Sequence, residues 1–380
     1  MILPAIACAT LLVAGCSSNG TGDAPSDQGS GQGDNQAPVA GTPAEAEVSP
    51  PAAANLPGSS SKVNSVANGA TIIGAARVGL NGTGNNDMVA VLSPGKLDYV
   101  AASNQKTPNP RTVDVSCDHI STTATGVAVS CKDKVIEYNA QGEEMRTINT
   151  DGTVTSATIA QDGDALLGKK DSDRVYFINP DGKQTKDEIV SRSIDQTVLV
   201  RPTEGKEKVA VIDRGQTSIN DVSLADEAYT ASLRIGQGVG MAASGRGDDG
   251  VVVASDTRQN QVMLYTMNDV VRLHQTAPTG ASPWAVAWDS NRSVVWVSTT
   301  HDNKITAYKV SNGTPEKVAQ FDSIANVRGL FVTGDGGLVV VGKTGDVQKL
   351  SGDEVKGLVK PGPPNQRDGD YPARPVGDGN

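Results

Sequence analysis

The chain has 380 residues, of which 37% are hydrophobic and only 3% aromatic, and it contains 42 Gly and 20 Pro. Its 33 Lys and Arg against 43 Asp and Glu give a formal net charge of −10, which excludes the basic surface that nucleic acid or anionic lipid head groups require. The length suits one large all-β domain or two ordinary domains.

The first sixteen residues have the pattern of a bacterial lipoprotein signal. The apolar run "MILPAIACATLL" is followed by Val13-Ala14-Gly15-Cys16, which resembles a lipobox. The run is too short to remain as a membrane-spanning helix. We therefore predict a signal peptide over 1–15, a diacylglycerol on Cys16, and a lipid-anchored protein on the extracytoplasmic side of the cell membrane. No Lys or Arg precedes Lys62, so the usual basic start of a signal peptide is missing, and a buried apolar segment with a chance cysteine is the alternative.

Two segments have the composition of disordered chain. Residues 17–62 are mostly Gly, Ser, Pro, Ala, Asn, Gln and acids, and residues 361–380 are similar. Such segments bury too little apolar surface to offset the entropy lost on folding. The predicted organisation is a lipidated cysteine with a disordered linker over 16–62, a folded domain over 63–360, and a disordered tail over 361–380.

The region between linker and tail repeats with a spacing of 41 to 45 residues. Candidate inner strands begin the units: "TVDV" (112–115), "SATI" (156–159), "TVLV" (197–200), "GMAA" (240–243), "AVAW" (285–288) and "GLFV" (329–332). A polar turn, a second β run and a third β run follow each candidate, and a weaker fourth run closes most units. Four short antiparallel strands at this period are typical of a β-propeller blade.

Residues 66–107 form a degenerate further unit, with "ATIIGAARVG", "DMVAVLS" and "KLDYVAAS". We therefore predict an all-β protein, a monomeric β-propeller of seven four-stranded blades. A parallel solenoid would need shorter repeats, and a sandwich would not keep so regular a spacing. The sequence leaves open whether an N-terminal strand closes the ring.

Cys117 and Cys131 lie on two β-like runs in "VSCDHISTTATGVAVSCKD". Adjacent strands could bring them together, and a disulfide would persist in an exported protein. Two buried free thiols are the alternative, because geometry decides between them. Metal binding by the pair would need two further ligands nearby.

Three stretches in the middle of the chain resemble a known family: "VAVIDRGQTS" (209–218), "RIGQG" (234–238) and "ASDTRQNQVMLY" (254–265). They are similar to actinobacterial propeller lipoproteins of the mycobacterial LppL type, and the likeness also covers the lipobox and the Pro-rich linker. The frame "P-x-x-V-A-W-D…V-W-V-S…D-N" is shared more widely with YncE-like propellers. The resemblance implies an exported, membrane-anchored, seven-bladed propeller and no particular reaction. Residues 66–107 depart furthest from the pattern.

One face of a propeller carries the turns between second and third strands and the loops that lead into the inner strands. We call it the channel-mouth face. The predicted binding residues on it are Arg111, Asp213, Arg214, Gln216, Gln237, Asp256, Arg258, Trp284, His301 and Arg328, accompanied by Arg192, Asp195 and Lys343. Arginine forks suit carboxylate or phosphate groups, and tryptophan offers a flat apolar surface. The alternative is a set of turn residues that only cap the blades.

Catalytic motifs are missing from the sequence. His119, His274 and His301 fall at three different positions of the repeat, which does not suit a shared metal, and His301 is best interpreted as a turn residue beside Asp302 and Asn303. No nucleophile elbow, P-loop or zinc helix is present. Trp288 and Trp296 lie inside β runs, where packing in the core is expected at least as much as stacking on a ligand. We predict no catalytic residue, no metal and no cofactor.

The predicted function is therefore a non-enzymatic binding or scaffolding lipoprotein of the cell envelope. Its channel-mouth face would bind an envelope protein or an anionic or glycan ligand. An assembly factor is not distinguished from this by sequence. The alternative is a propeller hydrolase or lactonase with a central Ca²⁺, held by carboxylates such as Asp195, Asp213, Asp256 and Asp302.

Overall fold

The computed structural model describes residues 41–63, 66, 69–80, 87–103, 105–311 and 313–360. The predicted signal peptide, the predicted lipidation site at Cys16 and the predicted tail at 361–380 lie outside the described residues. Within them, no helix is both long enough and apolar enough to cross a membrane.

The described chain forms seven four-stranded antiparallel sheets, numbered here as blades I to VII. Blade I contains β2 (Gly74–Arg77), β3 (Met88–Ser93), β4 (Lys96–Ala101) and β5 (Arg111–Thr112). Blade II contains β6 (His119–Thr122), β7 (Val127–Ser130), β8 (Lys134–Tyr138) and β9 (Glu144–Asn149). Blade III contains β10 (Val154–Ile159), β11 (Ala165–Lys169), β12 (Arg174–Ile178) and β13 (Gln184–Ile189).

Blade IV contains β14 (Gln196–Val200), β15 (Lys208–Asp213), β16 (Ser218–Ser223) and β17 (Ala228–Arg234). Blade V contains β18 (Val239–Ser244), β19 (Val251–Asp256), β20 (Gln261–Thr266) and β21 (Arg272–Pro278). Blade VI contains β22 (Pro283–Asp289), β23 (Val294–Thr299), β24 (Lys304–Lys309) and β25 (Glu316–Asp322). Blade VII contains β26 (Val327–Val332), β27 (Leu338–Gly342), β28 (Asp346–Leu350) and, from the N-terminal side, β1 (Ser59–Lys62). The predicted seven-bladed propeller is thereby confirmed.

The ring closes through β1, which pairs antiparallel with β28 from Ser59 opposite Lys349 to Lys62 opposite Asp346. The outer strand of blade VII therefore comes from the start of the folded region and its three inner strands from the end. The predicted boundary at residue 63 moves to residue 59, because Ser59–Lys62 supplies the backbone partners that β28 lacks. A short helix, α1 (Gly352–Leu358), follows β28 and begins with a capping box between Ser351 and Glu354.

The blades pack against each other through small apolar side chains. Val209 and Val211 of β15, for example, meet Leu166 of β11 and Val175 of β12 in one buried cluster. Branched and small residues suit this packing because each faces the pleated surface of a neighbouring sheet. Few aromatic residues are therefore needed.

Trp288 and Trp296, for which core packing and ligand stacking were both open, are buried. Trp296 is fully buried, and its ring centroid lies 6.2 Å from that of Phe321. Trp288 is 5% exposed, and its indole N–H donates to the carboxylate of Asp249 at 2.7 Å.

Blade II begins later than the repeat spacing predicted. The run "TVDV" is not its inner strand, because Arg111 and Thr112 pair with Leu97 and Lys96 as the outermost strand of blade I. The chain then turns at Asp114, and the polar segment His119–Thr122 forms the inner strand instead. A β-like apolar pattern alone did not distinguish the two positions. A disulfide joins Cys117, before this strand, to Cys131, after β7.

Candidate functional site

A segment of the predicted linker lies on the channel-mouth face. Residues 41–58, "GTPAEAEVSPPAAANLPG", precede β1, contain no strand, and are called the strap here. The segment contains four prolines, which remove backbone donors and favour extended chain. Residues 41–62 of the predicted disordered linker are thus in contact with the propeller, because donors of the propeller satisfy the strap's backbone carbonyls. Residues 1–40 lie outside the described residues.

The first part of the strap is bound by arginines of blades IV and V. Arg258 donates through Nη2 to the carbonyl of Thr42 at 2.6 Å and through Nη1 to that of Gln237 at 3.0 Å. Arg214 donates through Nη2 to the carbonyl of Ala44 at 2.8 Å. A Cβ on Gly238 would stand 2.9 Å from that of Ala44, so this position needs a glycine to admit the strap.

The middle of the strap is bound by turn residues of blades VI and VII. The amide of Glu47 donates to the Ser282 hydroxyl at 3.0 Å, and its carboxylate lies 2.7 Å from Nδ1 of His301. Asn303 donates to the carbonyl of Pro50 at 2.8 Å. Asn326 accepts from the amide of Ser49 at 3.0 Å through its side chain. Most of these contacts are with backbone atoms, so the surface binds extended polypeptide.

His301 is the one predicted binding residue that forms an ion pair with the strap. The pair is exposed, and the hydrogen bond with Glu47 raises the pKa of His301. Its neighbour Asn303 has a φ of 52°, a left-handed conformation that asparagine tolerates in tight turns. The turn interpretation of this stretch is therefore correct for the backbone, while two of its side chains also contact the strap.

Two of the predicted binding residues are buried in turns. Asp213 and Asp256, each at the end of the second strand of its blade, are 0% exposed. Asp256 accepts hydrogen bonds from the amides of Gln237, Gly238, Arg258 and Gln259. Asp213 accepts from the amides of Ser193 and Gln216 and from the Ser191 hydroxyl. These carboxylates hold two loops together, and Gln216 and Gln237 contribute backbone amides to them, so the capping interpretation describes these positions.

Arg214, Trp284 and Arg328 meet at the rim of the channel. The guanidinium carbons of Arg214 and Arg328 lie 4.9 and 5.5 Å from the centroid of the Trp284 ring. Burial lowers the pKa of both arginines, and the carboxylates of Asp195 and Glu45 oppose that effect at Arg214 only. Both guanidiniums remain charged at neutral pH.

The channel itself is a cavity of about 390 Å³. Partly exposed apolar side chains line it, and the charged groups at its mouth belong to the predicted set. The lining includes Ile73, Ala75, Met241, Ala243, Phe331, Asp195, Arg214, Trp284, Arg328 and Lys343. No strap residue belongs to the lining among the described residues.

The opposite end of the channel is bridged by side chains from blades I and V. Arg77 is buried and donates to the carbonyls of Gly79 and Gly245, both at 3.2 Å. Arg246 forms a 2.6 Å ion pair with Asp87. Burial and the charge of Arg246 lower the pKa of Arg77, to about 9, against the effect of Asp87. These contacts cross the ring, because blades I and V lie on different sides of it.

A polar chain ties three inner strands together. Nε2 of His119 lies 3.1 Å from the hydroxyl of Ser156, which in turn lies 2.8 Å from the hydroxyl of Thr197. Burial lowers the pKa of His119 to about 4, so the imidazole is neutral at neutral pH. Ser156 is fully buried and is bonded to the amide of Thr197. The group connects blades II, III and IV.

The remaining predicted residues do not come together. Arg111 lies on the outermost strand of blade I, where it donates to the carbonyl of Gln141 at 3.4 Å, and it does not line the channel. The prediction that Arg111 belongs to the channel mouth is wrong, because it rested on the misplaced inner strand. Arg192 lies half-buried in the loop before β14.

The four carboxylates considered for Ca²⁺ are distributed over blades IV to VI and bonded locally. Within the described part of the chain, no group of three or more His, Cys, Asp or Glu is placed to hold a metal ion. The predicted absence of catalytic activity stays a prediction.

The strap and the binding role of its anchors Ser282, Asn303 and Asn326 were not predicted from the sequence. The composition of a Pro- and Ala-rich segment does not show that side chains of the propeller donate hydrogen bonds to its backbone carbonyls. One signal was available: an asparagine recurs at 260, 303 and 326, each with positive φ in a turn of this face.

Comparison with solved structures agrees with the fold. A chain in the crystal structure of the mitotic checkpoint complex matches with a TM-score of 0.61 and 12% identity, over 84% of this chain and 97% of that one. A chain in the crystal structure of BBS1N in complex with ARL6DN, soaked with lead, matches with a TM-score of 0.57 and 12% identity, over 78% of this chain and 96% of that one. No protein-family model and no curated protein matches the sequence. Likeness at this identity supports the propeller fold alone.

Proposed function

We propose that this protein is a membrane-tethered, extracytoplasmic propeller that binds an extended, acidic polypeptide segment on the channel-mouth face of blades IV to VII. The observation that carries the proposal is the strap itself. Arg258, Arg214 and Asn303 donate to three successive parts of an extended backbone, and His301 pairs with a carboxylate of the same segment.

The partner's chemistry follows from what this surface holds. The strap is extended, rich in Pro and Ala, and carries Glu45 and Glu47 opposite cationic side chains. A partner segment of the same character would use the same donors, by replacing the strap or by continuing along it. Both solved structures of similar fold described above are of protein complexes, which is compatible with this role.

The tether and the family belong to the proposal. The lipobox-like Val13-Ala14-Gly15-Cys16 supports acylation of Cys16, and the resemblance of the middle blades supports membership of the LppL-type lipoproteins. Metabolic labelling with an alkyne fatty acid should mark the wild-type protein and leave Cys16→Ser unlabelled and released from the membrane fraction. Equal labelling of both would reject the lipidation site.

The binding role is tested by photo-crosslinking in intact cells. A photoreactive residue replaces Gln259, an exposed turn residue beside the strap anchor Arg258, or Asn291, an exposed turn residue on the opposite face. We expect a discrete cross-linked partner from position 259 only, reduced when Arg258→Ala and Asn303→Ala are introduced. The same capture from both positions, or capture that the double variant leaves unchanged, would remove the peptide-binding role from this face.

A further inference from the structure

The rim of the channel carries three cationic side chains, Arg214, Arg328 and Lys343, of which only Arg214 has carboxylate neighbours among the described residues. Arg328 and Lys343 line the mouth and form no ion pair within the part of the chain that the structure describes. The one described hydrogen bond of the Arg328 guanidinium runs from Nη1 to the carbonyl of Val327 at 3.0 Å. Nε of Arg214 is buried and has no hydrogen-bond partner among the described residues. Three cationic side chains thus lie together at the channel mouth of a protein whose net charge is −10.

The two carboxylates near this rim, Asp195 and Glu45, both act on Arg214. Asp195 is the one carboxylate in the described lining, and its Oδ2 accepts from the Arg214 amide at 2.7 Å and from the Ser193 hydroxyl at 2.8 Å. Glu45 acts on Arg214 from the strap side, and Arg328 has no such neighbour. The half-buried guanidinium of Arg328, which has no carboxylate neighbour among the described residues, therefore leaves donors for an anion that enters from solvent.

Below the rim the cavity changes character. Ile73 is 37% exposed although it lies on the channel wall, and Ala75, Met241, Ala243 and Phe331 are partly exposed beside it. The cavity of about 390 Å³ lies at the small end of the range for ligand pockets and would hold about a dozen non-hydrogen atoms. The bridge formed by Arg77, Asp87 and Arg246 limits the depth of the channel at its far end.

We propose that the channel is a binding site for a small amphiphilic anion, whose carboxylate or phosphate head lies between Arg214, Arg328 and Lys343 and whose apolar body fills the channel. Trp284 is only 7% exposed, and its ring contacts both arginines, which orients their guanidinium groups at the level of the head group. This site shares Arg214 with the strap, through the Nη2 bond to Ala44, but does not include the strap anchors Arg258 and Asn303. Variants at those two positions therefore separate it from the peptide-binding proposal.

Calorimetric titration of the full-length chain tests the proposal, with Cys16→Ser introduced so that no acyl chain of its own competes. Decanoate is the first probe, decyl phosphate the second, and decanol, acetate and inorganic phosphate are the controls. We expect saturable binding of one decanoate or one decyl phosphate per chain, and no saturable binding of decanol, acetate or inorganic phosphate. The stronger of the two decyl probes identifies the preferred head group.

Variants assign the two ends of the ligand. Arg328→Gln should weaken binding about tenfold or more, because a charge-assisted hydrogen bond is lost. Lys343→Gln should weaken it less, and because this side chain is exposed we expect the variant to keep the wild-type stability. Met241→Trp should reduce binding by filling the channel, while Arg272→Gln, an exposed arginine on an outer strand, should leave binding unchanged.

Three results would contradict the proposal. Decanol binding as tightly as decanoate would reduce the site to a non-selective apolar cavity. Unchanged affinity in Arg328→Gln and Lys343→Gln, or no saturable binding of either decyl anion, would overturn the proposal. Arg258→Ala with Asn303→Ala should not alter decanoate binding, so failure here and failure of the peptide-binding role are distinguishable.

Discussion

Blades I to III and blades IV to VII share one backbone plan but differ at the channel-mouth face. In blades IV to VI, the turn between the second and third strands carries Arg214, Arg258 and Asn303, and all three donate to the strap. The same turns in blades II and III carry Lys132-Asp133 and Lys170–Asp173, and no contact between these turns and the strap is among those described.

The two halves are also held together differently. Blade II contains the disulfide between Cys117 and Cys131, whereas the strap spans blades IV to VII on its way to the closing strand β1. The propeller repeat therefore specifies where a turn lies, and the side chains of individual turns decide whether that part of the face binds polypeptide. Variants in each half should sharpen this comparison.

The largest effect is expected in blade V, where one carboxylate satisfies four backbone amides. Asp256→Ala would leave those amides buried without an acceptor, and we expect the free energy of unfolding to fall by roughly 3–4 kcal/mol. Chemical denaturation measures this. Asp302→Ala, at an exposed position of the next blade, is the control and should change stability by about 0.5 kcal/mol or less. A similar loss of unfolding free energy in the two variants would show that the hydrogen bonds of Asp256 to these amides do not stabilise the fold.

The second-largest effect on the free energy of unfolding is expected from the disulfide of blade II. Cys117→Ser with Cys131→Ser removes a crosslink between residues 14 apart in sequence, for which about 3 kcal/mol of stabilisation is expected from unfolded-state entropy. Denaturation of the wild type with and without reductant gives an independent measure. If reductant destabilises the double variant as much as the wild type, the loss does not come from this bond.

Release of the strap should have a smaller effect on global stability. Arg258→Ala with Asn303→Ala removes side-chain donors to Thr42 and Pro50, and we expect a loss of about 1–2 kcal/mol together with faster hydrogen exchange in the strap. Lys132→Ala, in the corresponding turn of blade II, is the matched control. Unchanged exchange in the strap of the double variant would mean that it is held by packing of Ala44, Ala46 and Leu56 instead.

The fold could be predicted from the sequence because the repeat units share one pattern of β runs and turns although their residues differ. Runs such as "VVVAS" and "VVWVS" predict second strands directly. The sequence was not sufficient where the chain departs from the pattern. The inner strand of blade II is the polar segment His119–Thr122, which begins seven residues after the predicted start at residue 112. Arg214, Trp284 and Arg328 were placed on the channel-mouth face from their positions in the repeat, but the contact between the three side chains was not predicted. The strap was not predicted because the donors that hold it belong to turns of blades IV to VI, far from the strap in sequence.

The smallest expected effect is a pH dependence of the strap. Hydrogen bonding to Glu47 raises the pKa of His301 above its usual value near 6.5. The contribution of this pair is therefore fully present below about pH 6.5 and is lost as the pH rises through the higher pKa of the folded state. Hydrogen exchange of the strap, corrected for the intrinsic pH dependence of exchange, should accelerate over that interval in the wild type and not in His301→Gln. Since the pair is exposed and screened by salt, the difference should shrink at high ionic strength, and a difference that salt leaves unchanged would point to a group other than His301.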